Sequence, residues 1–287
     1  MRASSDYFRI GLQLSAGLML AGCWGRNIPY EGGVPEDTSV VEAVECGADL
    51  DLAAGINVTG TAGDLQSGLP LVREGDAAAL CVSLIDPSPA VTGGEPTVLI
   101  ASTLCDDGSF VLAGLQTVPA IGAMVSVQDC NDEGTVQRAV TGVGTDKFAG
   151  KGPGDTVEGV TAWSLSSAFR DTMQADLGDY PGDIGAEGVL SGFVTDADGN
   201  GLSGATVSCA SCTDRPTYYL DDTPDDGLWG DGTSFNTQTN AAGAAYFFIP
   251  AARITTYTCD DGGGHAWDGA LMGSLPDYAV FITFDAL

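Results

Sequence analysis

The sequence predicts a mainly β protein, in which two β-sandwich domains stand in tandem and are joined by a connector with one α-helix. Short runs of alternating apolar residues are separated by frequent turns, and 41 of the 287 residues are glycine. The chain lacks the regular alternation of strands and helices that is typical of a parallel α/β sheet. The order of strand-like runs after Ile56 also recurs after Gly188, as an internal duplication predicts.

The N-terminal segment has the pattern of a signal peptide. Arg2 and Arg9 accompany a mostly apolar run, residues 10–20, that is shorter than the ~20 residues of a membrane-spanning helix. The run ends in Leu20-Ala21-Gly22-Cys23, which resembles a bacterial lipobox. This resemblance implies cleavage before Cys23 and acyl chains such as palmitate on that residue, which would anchor the chain to the membrane. Trp24 follows the cysteine, which resembles the default signal for sorting a lipoprotein to the outer membrane. The alternative to a lipobox is an ordinary secretory signal.

We divide the chain into five parts by composition. These are the lipoprotein signal peptide (1–22), a tether (23–50), a first sandwich (51–144), a connector (145–187) and a second sandwich (188–287). The tether contains Pro, Gly and acidic residues without clear periodicity, which is typical of a linker. An alternative interpretation places an edge strand at residues 39–44.

The two sandwiches show the same order of strands. Val58, Gly60 and Ala62 alternate in the first as Leu190, Gly192 and Val194 do in the second, so each set shares one face of a strand. Later runs match in order, and the runs VQRAVTGV and YAVFITF each close one copy. The matched runs are residues 110–112 with 245–249, and residues 124–130 with 254–259.

The best-defined stretch, residues 188–209, reads GVLSGFVTDADGNGLSGATVSC. It resembles the opening of the carboxypeptidase regulatory-like domain, a small prealbumin-type or Ig-like β-sandwich. The resemblance implies an Ig/prealbumin-like fold and an accessory role, and it names no reaction.

The connector contains the predicted helix. Leu165, Phe169, Met173 and Leu177 are spaced four residues apart and would form one apolar face. We expect this face to pack on a sandwich or to bridge the two sandwiches; binding of a partner protein is the alternative.

Composition restricts the partners. A formal net charge of −29 repels nucleic acid, so we expect none as a ligand. We expect the membrane as a partner through the N-terminal lipid, and an unidentified protein or carbohydrate as a ligand.

Eight cysteines in an exported chain predict disulfides. Cys23 is assigned to lipid, which leaves seven. Alignment of the two copies favours the pairs Cys81–Cys130 and Cys209–Cys259, and we pair Cys46 with Cys105, so that Cys212 has no partner; sequence alone does not fix connectivity. The alternative is a zinc site formed by Cys209, Cys212, Cys259 and His265.

No catalytic residues are predicted. His265 is the single histidine, no G-x-S-x-G motif is present, and a His-rich zinc hydrolase site is excluded. We therefore expect a non-enzymatic binding or structural module with no cofactor. The alternative function is a glycan or peptide hydrolase with a carboxylate pair, which leaves no sequence motif.

Calcium is the one candidate metal. Asp196, Asp198 and Asn200 imitate the start of an EF-hand loop, but Val207 occupies the position of its bidentate glutamate, which favours a plain turn. A later loop is rich in carboxylates and is flanked by Tyr218, Tyr219 and Trp229, so calcium or a sugar or peptide surface is conceivable there, with a solvated loop as the default. Its acidic residues are Asp221, Asp222, Asp225, Asp226 and Asp231.

Overall fold

The predicted alternation of buried and more exposed residues is clear in Ser109–Leu115, whereas Val189–Thr195 and Tyr246–Pro250 are buried almost throughout. The structure, a computed structural model, describes residues 43–72, 79–131, 133–177, 180–210, 216–221, 238–239 and 245–287, all within the unit Val40–Leu287. Its first half contains β1 (Ile56–Asp64), β2 (Leu80–Asp86), β3 (Thr97–Thr103), β4 (Ser109–Leu115), β5 (Ala123–Asp129), β6 (Val136–Val143) and β7 (Thr156–Ser166). The second half contains β8 (Val189–Thr195), β9 (Thr206–Ser208), β10 (Tyr218–Tyr219), β11 (Tyr246–Pro250), β12 (Thr255–Asp260), β13 (Ala270–Met272) and β14 (Tyr278–Asp285).

Each half is a sandwich, which confirms the predicted fold class. In the first half, the layer β4-β1-β7 faces the layer β3-β2-β5-β6. Val58, Phe110 and Val157 from the first layer share one buried cluster with Leu84 and Val125 from the second. In the second half, the layer β10-β11-β8-β14 faces the layer β9-β12-β13. Apolar side chains on the facing sides of the two layers therefore close each core.

The two halves are joined by strand pairing. β6 of the first half pairs in parallel with β14 of the second, with Val140 opposite Val280. This pairing makes one continuous sheet through both sandwiches. Alternation along a strand does not specify its neighbour, so the sequence did not predict this connection.

The predicted connector contains a strand as well as the helix. β7 lies within residues 145–187, where we had predicted only one helix, and it pairs in parallel with β1. β7, rather than β6, therefore closes the first sandwich, in the position that β14 takes beside β8 in the second. The predicted equivalence of VQRAVTGV with YAVFITF is wrong for this reason.

The helix α1 (Ser167–Asp176) begins two residues after Leu165, which belongs to β7. It is capped by Ser166, whose Oγ accepts the N–H of Phe169 at 3.1 Å. Met173 and Leu177 are buried in a cluster that contains Ala139 of β6 and Leu165 of β7 as well as aromatic residues of β11 and β14, so the predicted apolar face packs against both halves. A second helix, α2 (Ile184–Glu187), follows; Asp183 caps it by accepting the N–H groups of Gly185 and Ala186.

The last residues of the predicted tether are bound to the first sandwich. Val44 makes a parallel bridge to Ser102 of β3: its N–H donates to Ala101, and its carbonyl accepts from Thr103 at 2.8 Å. The Cys46 N–H donates to Thr103 Oγ1 at 2.8 Å. Residues 43–46 therefore cover the edge of β3, as the alternative interpretation of an edge strand anticipated in part. Among the described residues, no helix is long and apolar enough to cross a membrane.

Candidate functional site

Two predicted disulfides are present in the first half. Cys46 is bonded to Cys105, with 5.3 Å between their Cα atoms, and Cys81 to Cys130, with 4.9 Å. The first bond holds residues 43–46 against the end of β3, and the second joins β2 to the end of β5. Both predictions are confirmed.

The third predicted disulfide is wrong. Cys259 on β12 is a free thiol, whereas Cys209 is disulfide-bonded to a partner outside the described residues. Cys259 lies opposite Val207, two residues before Cys209, so the two cysteines occupy a diagonal of the ladder. Burial raises the pKa of the Cys259 thiol to about 11, so this thiol stays protonated at neutral pH. Cys212 lies outside the described residues.

The alternative zinc site is not formed, because Cys209 is bonded as a disulfide and cannot serve as a thiolate ligand. Among the described residues, no cluster of three or more histidine, cysteine, aspartate or glutamate side chains could hold a metal ion. Of the acidic loop, only Asp221 is described; Asp222, Asp225, Asp226 and Asp231 lie outside, with Trp229. Calcium in that loop remains a prediction.

The DADGNG segment forms the expected turn. The Asp196 carboxylate accepts the backbone N–H groups of Asp198 at 2.9 Å and Asn200 at 2.8 Å. These bonds, chiefly those from Asn200, lower the pKa of Asp196. The carboxylate therefore organises its own loop, as expected for an Asx turn.

His265 is held by a residue that the sequence analysis missed. Its Nδ1 lies 2.7 Å from Asp261 Oδ2, while Asp261 Oδ1 accepts the N–H groups of Gly263, Gly264 and His265. The bond from His265, followed by those from the backbone, lowers the pKa of Asp261 to about 2. The four-residue spacing between Asp261 and His265 was the feature of the sequence that could have indicated this pair. His265 is exposed while the Asp261 side chain is largely buried, and the pair closes a loop, which is a structural role.

A cleft among the described residues lies elsewhere, at one end of the first sandwich. It has a volume of about 630 Å³ and lies between the end of β5, the start of β6, α1 and α2. Arg138, Arg170, Gln128, Gln137, Asp183 and Asp277 line it. None of these residues was singled out from the sequence, because five separate segments contribute to the cleft and no short motif joins them.

Comparison with known proteins gives only distant similarity. No protein-family model matches the chain and no curated protein matches it, so the carboxypeptidase regulatory-like resemblance remains a prediction. Among solved structures, the shaft pilin SpaA from Lactobacillus rhamnosus GG is 12% identical, with 81% of this chain and 97% of that chain covered and a TM-score of 0.24. The Bacillus anthracis TIE protein is 12% identical over 81% of this chain and 33% of that chain, with a TM-score of 0.25. A streptococcal ancillary pilin is 11% identical over 83% and 64%, with a TM-score of 0.22. Function must therefore be argued from the residues of this chain.

Proposed function

We propose that this chain is an exported, non-enzymatic binding or structural module of the cell envelope, held at the outer membrane by lipid on Cys23. The observation that carries the proposal is the pair of disulfides, Cys46–Cys105 and Cys81–Cys130. Disulfides form and persist outside the reducing cytoplasm. They agree with the signal-like run of residues 10–20 and the LAGC sequence that ends it.

The packing supports a module rather than an enzyme. Inward-facing side chains such as Leu84, Leu112 and Phe247 are fully buried and fill the two cores. The groups best suited to catalysis have other roles: His265 is tied to Asp261, and the Cys259 thiol is protonated at neutral pH. No specific observation favours the hydrolase.

The attachment of residues 43–46 suits a tethered protein. A lipid on Cys23 would hold the chain by its N-terminal segment, and tension along that segment would reach the sandwich at Val44 and Cys46. There, hydrogen bonds to β3 and the Cys46–Cys105 bond would take the load together. We further propose that residues 188–287 are a carboxypeptidase regulatory-like domain, which would make an accessory role natural. The net charge of −29 favours protein or carbohydrate partners over nucleic acid.

The test is the chemistry and location of Cys23. Mass spectrometry of the N-terminal peptide from the membrane fraction should find a diacylglyceryl group on this cysteine. Cys23→Ser should remove the protein from the membrane fraction, whereas the matched variant Cys259→Ser should leave it there. An unmodified Cys23, or cleavage at another position, contradicts the lipid anchor.

A further inference from the structure

The cleft at the end of the first sandwich has the size of a ligand site. Its volume of about 630 Å³ falls within the ~300–1,000 Å³ that is typical of small-molecule and peptide pockets. Its walls are α1 and α2, and the ends of β5 and β6 border it. Regular secondary structure therefore fixes most of its lining, as a preformed site requires.

Gln137 is a buried polar side chain with an unused acceptor. It is 5% exposed and lines the cleft, and its Nε2 donates to the Gly185 carbonyl at 3.3 Å. Its Oε1 accepts no hydrogen bond from the described residues. Buried amide oxygens are nearly always paired, so this one calls for a donor from a bound molecule or water.

Arg170 offers a partly used guanidinium on the wall of the same cleft. Its Nε and Nη2 donate to Asp171 Oδ1 at 2.9 and 2.6 Å. Its Nη1 makes no hydrogen bond to the described residues. This nitrogen lies beside Gly185, about one van der Waals contact (3.4 Å) from the position that a Cβ on that residue would occupy. Because Asp171 is exposed to solvent and Arg170 is only partly buried, their ion pair stabilises the chain little, and a ligand carboxylate can compete for the guanidinium.

The other carboxylates of the cleft differ in availability. Asp129 accepts from Thr135 and Val136, and Asp183 caps α2. The side chain of Asp277 has no hydrogen bond to the described residues, although its backbone N–H donates to Ala186. Asp277 is therefore the acid left to accept from a ligand.

We propose that this cleft binds a short peptide, with the peptide carboxylate at Arg170 and peptide N–H groups at Gln137 Oε1 and Asp277. A guanidinium beside unused acceptors matches a ligand that carries both a carboxylate and N–H donors. No aromatic ring belongs to the described lining, which disfavours stacking of a sugar ring, and its many charges disfavour an apolar ligand. The inference rests on the proposed binding function and assigns that function a site and a ligand class.

The experiment uses the mature chain labelled with ¹⁵N and two tripeptide mixtures, varied at the last residue, one with a free carboxyl terminus and one amidated. The free-acid mixture should shift the amide resonances of Gly185 and Ala186 in a saturable manner. The amidated mixture should bind about tenfold more weakly, because it lacks the charge-assisted bond. Arg170→Gln should reduce free-acid binding to the level of the amide.

Two further variants separate binding from folding. Gln137→Met, which is close in volume, should weaken both mixtures, while Arg253→Gln, outside the cleft, should bind as the unaltered chain does. Equal affinity for acid and amide, or no shifts at Gly185 and Ala186 at millimolar peptide, overturns the proposal. Peptides recovered cleaved would instead contradict the non-enzymatic function while leaving the binding site intact.

Discussion

The two halves of the molecule place corresponding strands in the same relation and stabilise them differently. In the first half, β1 pairs in parallel with β7, the last strand, and antiparallel with β4. In the second half, β8 pairs in parallel with β14, again the last strand, and antiparallel with β11. The first half has disulfides at Cys46–Cys105 and Cys81–Cys130. The second half packs more aromatic residues into its cores. The same strand arrangement is therefore compatible with different stabilising interactions in its core and at its strand ends.

The cysteines show how close the two halves are in register. The Cys130 N–H donates to Ala79, two residues before Cys81, and Cys259 lies opposite Val207, two residues before Cys209. The placement along the strands is the same, yet only the first pair is bonded. Equivalent register is therefore insufficient to fix a disulfide, because Cys209 has another partner.

The largest expected effect comes from removing the disulfide that joins β2 to the end of β5 in the first half. Cys81→Ala with Cys130→Ala frees a loop with a sequence separation of 49 residues. In the chain-entropy model this should lower the free energy of unfolding by about 4 kcal/mol. Urea unfolding measures it. Cys259→Ala is the control, and we expect it to cost less than half as much; equal losses would show that the bond itself contributes little.

The next effect tests the equivalence of the two halves. Gly60 and Gly192 hold the same place in β1 and β8, and a Cβ at either would overlap a carbonyl oxygen of the parallel neighbour, that of Val160 or Ile282. Gly60→Ala and Gly192→Ala should each destabilise the chain by roughly 1–3 kcal/mol, since the strands must separate. Thermal unfolding measures this. Gly150→Ala, a position with no neighbouring atom within 4 Å but a positive φ, is the control for backbone strain alone. A loss in only one of the two strand variants would break the equivalence.

The smallest effect is an alkaline pH dependence that arises in the second half. Burial raises the pKa of Cys259 from 9.0 to about 11 and that of Tyr219 to about 12. Since the unfolded thiol loses its proton at lower pH than the folded one, its stabilising contribution is full below pH 9.0 and declines as the pH rises towards 11. Between pH 9.0 and about 11, the free energy of unfolding of Cys259→Ala should therefore fall less than that of the unaltered chain.

The rate of alkylation provides a second measurement. Iodoacetamide should modify Cys259 slowly at about pH 8 and faster as the pH approaches the raised pKa, because the thiolate is the nucleophile. Rapid modification at the lower pH would show that the thiol is accessible and has an ordinary pKa.

Much of the fold could be predicted from local sequence. Alternation placed Val58 and Ala62, and Leu190 and Val194, on buried faces, and all four are fully buried. The apolar spacing around Met173 predicted α1. Leu165, which the same spacing assigned to the helix, belongs to the preceding strand, because an apolar residue at that position also suits a half-buried strand. The candidate cleft could not be predicted, since Gln137, Arg170 and Asp277 come from distant segments.

By itself, the sequence determined most strands, their inward faces and the DADGNG turn, and it suggested the two disulfides of the first half without fixing their connectivity. These depend on side-chain periodicity, on turn residues and on pairing within one copy of the repeat. Only the tertiary structure decided that β7 closes the first sandwich, that β6 and β14 join the halves, and that Cys259 remains a thiol. The physical reason is that periodicity specifies which face of a strand is buried, whereas the neighbour of that strand depends on how all the layers pack together.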